Sequence, residues 1–167
     1  MNQEQVFTVV KSRPLYINLV FTVLAIGLGI TVPKIFHVFG LGPAFLPMFL
    51  PVILLAMFTG YRYVIAAAVI TPLLSYSVTG MPPAPVAMHM ILQIAFVGSL
   101  IIYLTRNVNI NYLYAIPAAI IGERVLSLIA AAVINSEHMT TGQILGSYPG
   151  VIMLAVISII VMKVYYR

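Results

Sequence analysis

The chain has 167 residues, 62% of them hydrophobic and only 7% charged, with a mean hydropathy of +1.12. That composition excludes a water-soluble globular domain, because even a well-filled core leaves a surface that polar side chains must cover. The 0 cysteines exclude a disulfide framework, a thiol nucleophile and a Cys-ligated metal, and the net charge of +5 reads first as an orientation signal in a membrane.

Six apolar segments follow in chain order. The first covers residues 15–32; the second, residues 44–59, is short and carries Pro47 and Pro51. The third covers 63–78, the fourth 85–105, the fifth 112–134 and the sixth 144–166. About 20 residues cross a bilayer upright. The second and third fall short, so they are expected to kink or to lie partly at the interface. The N-terminal stretch is polar and mixed, without a cleavage-site pattern, so the helices themselves are expected to direct insertion.

Charge orients these segments. With the N-terminus in the cytoplasm, Lys11, Arg13, Arg62, Arg106, Lys163 and Arg167 all fall on the cytoplasmic side, and Lys34 falls outside. The asymmetry predicts an all-α membrane protein, a bundle of six transmembrane helices with N-terminus and C-terminus cytoplasmic, forming one domain over residues 1–167. Tyr16, Tyr61, Tyr63, Tyr103, Tyr112, Tyr114, Tyr165 and Tyr166 fall near the same cytoplasmic ends, as an interfacial belt would. Tyr76 and Tyr148 lie near the outer ends, either as a thin outer belt or as part of a site.

The remaining polar residues gather on the outer half. His37 is expected in the first outer loop, His89 one to two turns into the fourth helix, and His138 in the last outer loop, with Lys34 and Glu137 on the same side. A small molecule is therefore expected to arrive from outside. His89 and Gln93 share a helix face at i, i+4, which reads either as structural polar groups or as cavity lining. Met81, Met88 and Met90 flank the outer mouth, as ordinary packing or as a soft wall against a flat ring.

Within the fifth span, Glu123 and Arg124 sit mid-helix, where a charge costs about 2.5–3.5 kcal/mol on insertion scales. Neighbouring residues point about 100° apart around a helix, so the two are expected to reach different partners. Ser127, one turn further on, borders both. Two readings stand: an interhelical lock, or the polar floor of a substrate cavity. Enzymatic motifs do not emerge: there is no GxSxG, HExxH or P-loop, and the glycines around the first span make no nucleotide fingerprint. The chain is not expected to be an enzyme. Ala25 and Gly29 on the first helix are spaced small-xxx-small, with Gly27 between them, a pattern that lets another helix approach closely.

The run "LPMFLPVILLAMFTGYRYVIAAAVITPLLSYSVTGMPPAP" resembles the substrate-binding S components of energy-coupling factor (ECF) transporters. The matching features are a short helix with Pro47 and Pro51, the Gly60-Tyr61-Arg62 turn, a mid-helix Pro72, and the outer loop from Thr79 to Pro83. The likeness is best over residues 44–90, and size and span number extend it loosely over the chain. The family's first helix carries a small-xxx-small motif, which Ala25 and Gly29 match with Gly in place of the second Ala.

The resemblance implies a subunit that captures a micronutrient at the extracellular face of a prokaryotic cell membrane. It implies two kinds of partner, a transmembrane coupling subunit and two cytoplasmic ATPases that supply the energy, and no nucleic acid. Ala25, Gly27 and Gly29 would then meet the coupling subunit. Lys34, His37, Pro82 and Pro83 would belong to gating loops, and Tyr76, Met81, His89, Gln93, Glu123, Arg124, Ser127 and Tyr148 would line the ligand site. Nickel and cobalt members carry a His directly after the initiator Met; this chain begins Met1-Asn2-Gln3, so that metal site is not supported. No resident metal or cofactor is expected. Arg124, with Lys34 above it, suits a carboxylate, and Glu123 and Gln93 suit donors on a ring, which favours a vitamin-like molecule or a modified base. Haem is the rival ligand, with His89 or a Met at the iron. The rivals of other classes are a membrane scaffold resembling the rod-shape-determining protein of the cell-wall machinery, and a small standalone carrier or channel.

Overall fold

The computed structural model describes residues 14–38, 47–80, 82–134 and 148–165. These residues form helices and short connections, with no strand among them. The helices are α1 (Leu15–Val38), α2 (Phe49–Phe58), α3 (Tyr61–Thr79), α4 (Ala84–Arg106), α5 (Tyr112–Ile134) and α6 (Tyr148–Tyr165). Four of them, α1, α3, α4 and α5, are long and apolar enough to cross a membrane. The protein is therefore a helical membrane protein.

Three boundaries differ from the sequence expectation. Helix α1 runs on to Val38 through Pro33, so Lys34 and His37 lie on its last turns and not in a loop. The third segment is a full span, because "TGYRY" ends α2 and starts α3 with almost no loop residues between. The second is not interfacial: Phe49, Pro51, Val52, Ile53, Leu55, Ala56 and Met57 are all buried. Ten residues rise about 15 Å, half a bilayer, so α2 is a half-length core helix enclosed by the long ones.

Several contacts fix which helix ends meet. Tyr112 Oη, at the start of α5, donates to the Met57 carbonyl at the end of α2 (3.3 Å). Arg106, at the end of α4, donates through Nη2 to the Thr59 carbonyl between α2 and α3. Phe21 of α1 stacks on Phe58 of α2, ring centroids 5.9 Å apart. The end of α2, the starts of α3 and α5 and the end of α4 thus share one end of the bundle, with Tyr61, Arg62, Tyr63 and Tyr103 beside them. Tyr112 departs from the belt assignment, since its ring is buried at 2% exposure.

At the other end, Gly80 closes α3 in the left-handed conformation (φ 70°), its N–H bonded to the Tyr76 carbonyl at 2.8 Å. That backbone suits glycine because it has no Cβ. Pro83 then leads directly into α4, whose first turn carries Pro85 where no N–H is needed. Gly80 thus ends α3 and Pro83 starts α4. At the bundle's basic end, Asn111 Oδ1 accepts the Leu113 N–H at 3.0 Å and caps α5.

Several threonine hydroxyls are satisfied on their own helices. The hydroxyls of Thr22, Thr59, Thr79 and Thr105 each donate to the carbonyl four residues back, at 2.6–2.9 Å. Lipid offers no alternative partner. Association of the helices then rests on close packing. Asn18, Thr22, Ala25, Gly29 and Pro33 form the buried stripe of α1, and a Cβ built on Gly29 would meet Thr71 Cγ2 of α3 at 2.5 Å. The equivalent contact of Gly98 on α4 is with Val64 Cγ1 of α3.

Candidate functional site

The strongest polar feature lies where α4 and α5 face each other at mid-depth. Gln93 is nine residues into α4 and Glu123 eleven into α5, so each stands about 14–17 Å from its helix start, near the middle of a bilayer. Gln93 Nε2 donates to Ser127 Oγ at 2.9 Å, and Ser127 Oγ donates to Glu123 Oε1 at 2.5 Å. Arg124 Nε lies 2.7 Å from the other carboxylate oxygen, Oε2. Beneath the guanidinium, 5.8 Å from its centre, is the ring of Phe49 at the start of the half-length helix α2.

The expectation that Glu123 and Arg124 reach different partners is corrected here, since they pair with each other. Long side chains bend toward one another even from neighbouring positions when low dielectric makes an unpaired charge costly. Adjacency still leaves its mark: the 2.7 Å approach is an ion contact without hydrogen-bond alignment. Glu123 is the only carboxylate side chain among the described residues, so it is the one anionic side chain there that can neutralise Arg124. Their access differs, with side-chain exposure of 1% for Glu123 and 15% for Arg124.

The other candidate residues separate into groups. His89 is half-buried on α4, one turn before Gln93 on the same face. Tyr76 and Tyr148 are 44% and 66% exposed, so they lie on the outer surface of their helices and are not drawn into the polar cluster. Pro82 is half-buried and Pro83 exposed in the α3–α4 turn. Lys34 is exposed on the last turns of α1. Met81 and His138 lie outside the described residues, as does the side chain of His37.

On α1, the expected partner-facing groove turns the other way. Ala25 is 5% exposed and Gly29 is also buried, both within the bundle, and the Thr71 contact shows that the small-residue spacing serves this chain's own α3. Gly27 alone of the three is exposed, with nothing within 4 Å of a built Cβ.

Phe49 is the residue that sequence reasoning missed. Its signal was faint: a bulky aromatic midway between Pro47 and Pro51, in one of the two short apolar runs. Comparison of the chain with protein-family models, curated proteins and solved structures finds no match.

Proposed function

We propose that this chain is the substrate-binding S component of an ECF-type transporter, with six transmembrane helices and both termini cytoplasmic. In this reading it captures a vitamin-like micronutrient at the extracellular face of a prokaryotic cell membrane. A transmembrane coupling subunit and two cytoplasmic ATPases then drive uptake.

The observation that carries the reading is the Gln93–Ser127–Glu123–Arg124 array at mid-depth between two spans, with Glu123 and Ser127 buried. Charged groups at that depth are costly, and they generally mark a ligand or ion path. The half-length α2 supports it, because shortened helices within a membrane bundle leave room for a site at the midplane. Arg124 supplies donors for an acidic group on the ligand, Gln93 and Glu123 read polar ring atoms, and His89 extends the polar face toward the outer end.

Native mass spectrometry of the purified chain, with vitamins, modified bases and haem offered in turn, tests the reading. The expected result is one retained or added small molecule, lost in Arg124→Ala. A chain that takes up none of them is no S component.

A second reading has its own support. The direct Gln93–Ser127 bond ties α4 to α5, which is what an interhelical lock in a scaffold would do. A lock predicts that Gln93→Leu lowers thermal stability whether or not a ligand is offered. A ligand site predicts that the loss is regained on adding the ligand.

A further inference from the structure

We infer that Glu123 is a built-in stand-in for a ligand carboxylate: it occupies the Arg124 guanidinium in the empty protein and yields it to an anionic ligand. This rests on the ligand-binding reading above and names the substrate class of that site, a small molecule with a carboxylate beside a flat ring.

Three features point to it. First, the internal pair is poorly made. Glu123 and Arg124 are sequence neighbours, and their 2.7 Å contact lacks hydrogen-bond alignment. An incoming carboxylate is not tethered to the same helix turn and can approach the guanidinium fork in the bidentate geometry that neighbours cannot reach. Second, Glu123 has somewhere to stay. Its Oε1 is held by Ser127 at 2.5 Å, and Ser127 is held in turn by Gln93 at 2.9 Å, so losing Arg124 leaves it one donor, and the remaining cost is what the ligand's better-aligned pair has to exceed. Third, the two partners differ in access in the sense required: Arg124 is the more exposed and Glu123 the enclosed one. The Phe49 ring, 5.8 Å from the guanidinium centre, offers its face to the cation in either pairing.

The device has a purpose in a membrane. An empty site with an unneutralised arginine at mid-depth would be costly, and an internal carboxylate avoids that cost until the ligand arrives. It also rejects neutral analogues, which cannot compete for the guanidinium. Affinity is then the difference between two ion pairs.

The test uses the full chain in detergent, titrated calorimetrically with benzoate and with its neutral isostere benzamide. Wild-type protein should bind benzoate, and benzamide about tenfold or more weakly. Glu123→Gln removes the competitor and keeps the shape, so benzoate should bind about tenfold more tightly than to wild type. Equal benzoate affinity in the two proteins overturns the inference, as does equal affinity for benzamide or no benzoate binding by either. Should Glu123→Gln fail to fold, Ser127→Ala replaces it: the displaced carboxylate then lacks its donor, and benzoate affinity should fall about fivefold. Unchanged affinity in that variant overturns the inference. A micronutrient retained in mass spectrometry alongside any of these failures leaves the S-component reading standing, whereas the absence of any ligand there removes that reading itself.

Discussion

Two arginines among the described residues are drawn into this bundle, and the protein holds them by different means. Arg106, at the end of α4, is half-buried and gives Nη2 to the Thr59 carbonyl. Arg124, at mid-depth on α5, takes a full carboxylate from its neighbour, with an aromatic ring beneath. Depth explains the contrast. Near a helix end, water and headgroups lie within reach of a long side chain, and the Thr59 carbonyl together with the Tyr112 hydroxyl completes its needs. At the midplane neither is near, so only an opposite charge suffices. The packing at two glycines differs as well. A Cβ on Gly29 would stand 2.5 Å from Thr71, whereas one on Gly60 at the basic end would meet Arg106 Nη1 at 3.8 Å, an ordinary contact.

The largest expected effect comes from breaking the mid-depth pair. Arg124→Ala leaves Glu123 buried and charged, and should cost about 3–5 kcal/mol in thermal or denaturant unfolding in detergent. Replacing Glu123 and Arg124 together by Leu removes both charges. It should recover at least half of that loss; a double variant no better than the single one would break the depth argument. Next comes Gly29→Ala, expected to lose about 1–3 kcal/mol by overpacking against Thr71, against less than about 0.5 kcal/mol for Gly60→Ala. Similar losses at both glycines would show that the close approach of Gly29 to Thr71 is not what limits its side chain. Gln93→Leu should cost about 1 kcal/mol for its bond to Ser127. The smallest effect belongs to the basic end: Arg106→Ala should cost about 1 kcal/mol or less, since water can take over the Thr59 carbonyl. A loss there as large as that of Arg124→Ala would erase the contrast.

Much of the fold was legible because lipid imposes a simple rule on sequence. The apolar runs had to be helices, and Gly80 with Pro83 and Pro85 had to mark a boundary, since glycine alone adopts that φ comfortably and proline starts a helix without its N–H. Length misled in two places. Residues 44–59 looked like a weak span, yet they hold a ten-residue core helix, because hydropathy does not distinguish burial in lipid from burial in protein. Lys34 and His37 looked like loop residues because Pro33 precedes them, although a proline inside a membrane helix need not end it.

The candidate site was legible in part. Gln93 and Ser127 were placed on polar faces by periodicity, and they bond. Glu123 and Arg124 stood out because charge is rare in an apolar run, but their mutual pairing was not foreseeable from a 100° offset, since side-chain length and local dielectric decide it. Tyr76 and Tyr148 were grouped with the site by their position along the chain, and the rotation of each helix turned them outward.

By itself the sequence determined the solvent, the helical class and the mid-helix position of Gln93, Glu123 and Arg124, because hydropathy and the 1.5 Å rise of a helix convert chain position into distance along it. Only the tertiary structure decided which way each helix face turns. That choice sends Ala25 and Gly29 inward against α3, sets Phe49 under Arg124, and joins Gln93 of α4 to Ser127 of α5. Rotation about a helix axis is fixed by interlocking side chains from separate parts of the chain, and no single segment contains that information.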